Sequence, residues 1–148
     1  MRRRVALPAI AAGGAMLAAA ACSDLSIEPA VDRIKVAIAA PSFRNDIEPI
    51  LAETCASSGA CHSGPNAQEE LSLDPGLGYG ELVNVPSSFG GILRVMPGFA
   101  DSSLFYLVMS EDLLTRRGYT RMPVTGSPLP APVRETIRNW IENGAPDN

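Results

Sequence analysis

One histidine, three cysteines and 5% aromatic residues are all that this 148-residue chain has of the side chains that most often build sites and cores. A lone histidine, His62, excludes any centre that needs two imidazoles from one chain. Zinc is a poor fit as well: Cys55, Cys61 and His62 leave a fourth ligand to be found, and the adjacent Cys61 and His62 suit a tetrahedron badly. Basic charge is also short. The 12 Lys and Arg residues face 16 Asp and Glu, a net charge of −4, which argues against a nucleic-acid partner. Strand-like runs are few, internal repeats are absent, and the one long apolar run lies at the N-terminus.

That run begins after "MRRR" and extends from Val5 to Ala21, just before Cys22. A basic start, a short apolar stretch and small residues before a cut point make a secretory signal, with an uncleaved transmembrane helix as the alternative. "LAAAAC", Leu17 to Cys22, resembles a bacterial lipoprotein cleavage box, with Ala19 where leucine is favoured. The resemblance implies that residues 1–21 are removed and that Cys22 carries the lipid. Several acyl chains would then anchor the chain stably. Ser23 adds no strong inner-membrane retention cue, so the location implied is the periplasmic face of either membrane or the cell surface. Such a compartment is oxidising. Three of the 12 basic residues lie in the leader, so the exported chain has nine against 16 acidic, a net charge of −7 that favours solubility.

Residues 22–40 read as a tether, although "IKVAIAA" at 34–40 fits either a strand or a packed arm. Residues 41–148 suffice for one small domain with one core. The pattern predicts an all-α fold, with three or more helices and long loops. A first helix runs from about Asn45, its cap, to Cys55, with Pro49 in the first turn and Ile47, Ile50 and Leu51 on one face. A second follows Asp101 as cap through "SSLFYLVMSEDLL", with Leu104, Leu107 and Val108 as its stripe. The last spans Pro132 to Gly144, with Val133, Ile137, Trp140 and Ile141 on its buried face and Glu135 near its positive end. Between them, "LDPGLGYGELVNVPSSFGG" at 73–91 reads as loop. So long an irregular stretch is reasonable if it wraps a large prosthetic group, which would also supplement a thin aromatic core.

The chemistry concentrates in "AETCASSGACHSG", residues 52–64. Cys-x-x-Cys-His is a specific signal for covalent haem: two thiols add to the vinyl groups, and the next residue brings its imidazole to the iron. Here five residues separate the cysteines, Ala56 to Ala60, so the loop must bulge; its small residues make that sterically cheap. Methionine sulfur is the usual sixth ligand where a second histidine is missing. Met96 and Met122 each precede a proline, and Met122, in the loop before the last helix, is the better placed of the two. Met109, inside the second predicted helix, reads as core. Arg94, Arg116, Arg117 and Arg121 are candidates for haem propionates, Arg121 first, but each reads more simply as solvated surface.

The order "IEPILAETC", "CH" and then "RMPVTGSPLPAPVRETIRNWIENGAPDN" resembles a c-type cytochrome domain, of the bacterial lipoprotein-associated kind with a widened Cys–Cys gap. "AQEELSLDPGLGYGELVNVPS" is similar to the middle segment of those domains, and the likeness covers roughly residues 43–148. It implies one haem c, thioether-linked at Cys55 and Cys61, with His62 proximal and Met122 distal, and first and last helices packed across each other. The long gap leaves one or two thioethers open, and Cys61 alone would suffice for attachment.

Iron ligated by His and Met has no vacant position, so the expected role is electron transfer among periplasmic or membrane redox proteins rather than enzymatic turnover. An acidic surface would steer a basic docking face. Two alternatives stand beside it: an open-site haem peroxidase or sensor if Met122 does not bind, and a haem-free lipoprotein interaction module with a Cys55–Cys61 disulfide.

Overall fold

The protein is described by a computed structural model, which covers residues 28–57, 61–110 and 120–148. The leader, Cys22, Arg116 and Arg117 lie outside these residues, as does most of the bulge expected at 57–60. Helix is the main regular structure of the described residues. Its extended pairing is confined to two isolated bridges, Val83 with Val95 and Pro86 with Leu93, and no described helix is long and apolar enough to cross a membrane.

The helices are α1 (Ala30–Arg33), α2 (Glu48–Thr54), α3 (Gly78–Leu82), α4 (Leu104–Leu107) and α5 (Ala131–Glu142). A π-helical turn, Phe43–Ile47, runs straight into α2. Ser42, not Asn45, caps this entry: its hydroxyl accepts from Asn45 N–H at 3.4 Å, and Asp46 returns a carboxylate to Ser42 N–H at 2.8 Å. The wide turn has a physical reason. A regular α-helix through Asn45 would drive the Pro49 ring into a carbonyl one turn back. Instead Glu48 N–H reaches Phe43 O, five residues back.

Asp101 does not cap the second helix. It lies in a 3₁₀ turn, Ala100–Ser102, and grips Arg138 of α5 through two bonds, Nη1 to Oδ1 at 2.9 Å and Nη2 to Oδ2 at 3.1 Å. Buried Ser103 organises the start of α4, taking Met96 N–H at 2.8 Å and donating to Phe99 O at 2.9 Å. The helix is also shorter than predicted: α4 ends at Leu107, Val108 and Met109 form a turn, and residues 111–114 fall outside the described residues.

The core joins the first and last helices. Ile47, Ile50, Leu51, Val133, Ile137, Trp140 and Ile141 are all fully buried in one cluster. Phe43 lies between Trp140 and Tyr79, 5.3 Å and 5.2 Å away by ring centroids. The short α3, inside the predicted loop, approaches this cluster through Gly78, where a Cβ would stand 3.1 Å from Leu51 Cδ1. Residues 30–40 form a packed arm rather than a strand. Ala30 is buried, and Ile38 bonds to Thr136 and Asn139 of α5 at 3.0 and 2.9 Å. The packed unit therefore begins before Pro41.

Candidate functional site

A cavity of about 570 Å³ opens beside this core. The end of α2 and the loop after it contribute Thr54, Cys55, Cys61 and His62; the segment before α5 contributes Met122 through Ser127 and Leu129. Leu71, Leu73, Leu82, Leu104, Phe105 and Val108 give it a largely apolar lining. Its size lies within the range of small-molecule and cofactor sites. Four residues singled out in the sequence, Cys55, Cys61, His62 and Met122, thus meet at one cavity although they span some 68 positions of chain.

His62 is oriented by backbone. Its Nδ1 stands 3.2 Å from Gln68 O and 3.3 Å from Leu71 O. Carbonyls only accept, so Nδ1 carries a proton, and in the neutral ring the lone pair is on Nε2, the arrangement of a ligating imidazole. The loop behind it is closed by Gln68 N–H to Cys61 O at 2.9 Å, His62 N–H to Cys55 O at 3.1 Å and Leu73 N–H to His62 O at 2.8 Å.

Among the described residues no disulfide forms: Cys55 and Cys61 are both thiols. Cys55, at the end of α2, is half-buried; desolvation pushes its thiol above the ordinary range, opposed by Thr54 and reinforced by the nearby Cys61. The Thr54 hydroxyl donates to Ile50 O at 2.6 Å, and its oxygen stands 3.3 Å from Cys55 Sγ. Cys61 is exposed.

On the other arm, Met122 N–H bonds to Val108 O at 2.8 Å, tying the Met-Pro loop to the end of α4. Met109, buried in the core as its pattern suggests, also borders the cavity. Met96 does not; it is 37% exposed elsewhere.

The arginines need correction. Arg94 is buried, not solvated, and lines the cavity. Its guanidinium donates to Glu81 O, Glu81 Oε2 and Glu69 O at 2.9, 3.2 and 3.0 Å. Arg121 is half-buried, with Nη2 on Gly126 O at 3.1 Å and Nη1 buried without a partner. Sequence reasoning also missed Ser87, Ser88 and Phe89, read as plain loop. They border the cavity, and Ser87 Oγ is buried there without a partner. Nothing in "VPSSFGG" distinguishes a cavity wall from an ordinary turn.

The lining suits an apolar group with polar edges. The lining is apolar, one imidazole nitrogen is free to bind metal, and an orphaned hydroxyl and a buried cation lie on the wall. A bare ion fits less well, since no group of three or more His, Cys, Asp and Glu among the described residues could hold one; a porphyrin brings its own ring nitrogens and asks the chain only for axial ligands. Comparisons with protein-family models, curated proteins and solved structures found no match to the chain.

Proposed function

We propose that this protein is an exported, lipid-anchored electron carrier of the c-type cytochrome kind, holding one haem c in the cavity between the Cys-His and Met-Pro loops. The observation that carries this reading is the meeting of Cys55, Cys61, His62 and Met122 around one apolar cavity, with His62 Nδ1 held by two carbonyls. Bound haem c supplies a one-electron iron couple.

The chain would do the rest. Cys55 and Cys61 would hold the macrocycle by thioethers, and His62 Nε2 and Met122 Sδ would be the ligands that hold its iron. The carbonyls of Gln68 and Leu71 keep the imidazole in one tautomer. Leu71, Leu73, Leu82, Leu104 and Phe105 exclude water and lower the local dielectric, which favours the less charged state of the metal. Arg94 adds a buried positive charge with the same bias, tempered by Glu81. With His62 and Met122 both committed to holding the group, the chain would offer no position for a substrate, and its role would be electron transfer to and from periplasmic or membrane redox proteins.

A pyridine haemochrome spectrum together with the intact mass of the exported protein tests this. One haem per chain and a mass increment of one haem are expected. A colourless protein with Cys55 joined to Cys61 would overturn it. A coloured protein that lacks the long-wavelength band of a methionine–iron bond would point instead to the open-site alternative.

A further inference from the structure

Asp74 lies outside the cavity, yet it closes the loop that carries His62. One carboxylate oxygen accepts from Ser63 Oγ at 2.6 Å. The other accepts from Gly64 N–H at 2.8 Å and Ser72 Oγ at 3.1 Å. The carboxylate therefore bridges the two residues after His62 to the residue after Leu71. The turn thus pinned is the one whose carbonyls, Gln68 O and Leu71 O, hold His62 Nδ1.

That turn is strained. Glu69 and Glu70 have φ of 57° and 52°, a left-handed conformation that costs a non-glycine residue energy. Two consecutive residues of this kind persist only where their surroundings over-determine them. The clamps are the Asp74 carboxylate and the backbone bonds at Cys61 and His62 within the loop, and, from outside it, Arg94 Nη2 on Glu69 O at 3.0 Å and Glu70 O at 3.4 Å.

We propose that Asp74 is a positioning residue for His62: by pinning Ser63, Gly64 and Ser72 it keeps the strained turn in place, holds the two carbonyls on Nδ1 and so fixes which imidazole nitrogen faces the cavity. The inference rests on the proposed function only in taking Nε2 as the ligand nitrogen. The role is one of geometry, not charge. An asparagine can repeat the pattern, with its oxygen taking Gly64 N–H and Ser72 Oγ and its amide donating to a rotated Ser63 hydroxyl. Alanine cannot.

His62 is the sole histidine, so its ring signals need no assignment. The test is nitrogen-15 NMR of that ring in the full exported chain, for wild type, Asp74→Asn and Asp74→Ala, with a haem stain on the same samples. The wild type and Asp74→Asn should show a protonated, exchange-protected Nδ1. In Asp74→Ala the protection should fall at least tenfold. In haem-bearing samples the oxidised-to-reduced ratio at a fixed poise should fall about threefold, because a looser Nδ1–H bond makes the imidazole a weaker base. Ser63→Ala and Ser72→Ala each remove one arm of the clamp and should shift the same signals less, which covers the case in which Asp74→Ala does not fold.

An Nδ1 signal unmoved in Asp74→Ala, or in both serine variants if Asp74→Ala does not fold, overturns the proposal. Equal shifts in Asp74→Ala and Asp74→Asn would overturn it too, by making charge the cause. A negative haem stain would sink the proposed function instead, while the tautomer of the ring would still report on Asp74.

Discussion

Phe43 and Trp140 pack with ring centroids 5.3 Å apart and planes tilted by 41°, and this contact joins the two ends of the domain. Trp140 also donates Nε1–H to Pro146 O at 3.1 Å, while Tyr79, on the other side of Phe43, donates to Ala145 O at 3.1 Å. The C-terminal residue continues the lacing, with Phe43 N–H on Asn148 Oδ1 at 2.9 Å. Trp140→Ala removes a fully buried side chain from this junction, so a loss of about 3–5 kcal/mol is expected from urea denaturation. Trp140→Phe keeps ring packing but leaves Pro146 O without its donor, and should cost clearly less.

The junction was legible in the sequence because its signals are periodic. Val133, Ile137, Trp140 and Ile141 repeat at helical spacing over more than two turns, and α5 forms where they predict it. Ile47, Ile50 and Leu51 do the same on a shorter segment, but there Pro49 changes the local geometry and moves the cap to Ser42. No local pattern announces α3, which is five residues long, has two glycines and is stabilised by packing on Leu51 and Phe43. Of the site, the residue types with distinctive chemistry were found from the sequence. Its walls were not. Whether Arg94 is solvated or buried depends on carbonyls of Glu69 and Glu81, which no side-chain pattern records.

Arg94 yields a prediction from that burial. Its side chain is 11% exposed and that of Glu81 is 40% exposed, so only one partner of the pair keeps substantial contact with water. Arg94→Gln strands the carbonyls of Glu69 and Glu81 and removes the cation from the cavity wall. A loss of about 3 kcal/mol is expected, the lower end for breaking a buried pair because Glu81 can hydrate. Arg94→Lys should recover only part of this, since one ammonium cannot span carbonyls that the planar guanidinium reaches with two nitrogens. Chemical denaturation of both variants checks the order.

Acid should remove the stability that the ionised Asp74 carboxylate adds to the fold. The Ser63 hydroxyl and then the Gly64 amide hold the Asp74 carboxyl below its usual range, with Ser72 adding to them and partial desolvation opposing. A carboxylate whose folded value is lowered contributes stability that is fully present above its unfolded value. That contribution is lost as pH falls through the folded one. Asp74→Ala should therefore be less stable than wild type at neutral pH, and the gap should narrow as pH drops through the acid range. Denaturation midpoints of the two proteins at about pH 7 and about pH 3 test the sign. A gap that widens in acid would contradict it.

The two cysteines should differ in what their loss does to haem attachment. Cys61 is exposed and adjacent to His62, so a thioether there would tie the macrocycle to the residue proposed as its iron ligand. Cys55 is half-buried at the end of α2 and its pKa is raised by desolvation, so it forms less thiolate. Cys55→Ser should keep covalent haem through Cys61, visible as retained colour on a denaturing gel and as one haem in the intact mass, with a spectrum altered by the unsaturated vinyl group. Cys61→Ser should lose most of that colour, because the surviving thiol is the less reactive one and lies across the long loop from the imidazole. Alkylation of the haem-free chain provides an independent check: Cys61 should react faster than Cys55. Equal retention of haem in both single variants would mean that adjacency to His62 confers no advantage in attachment.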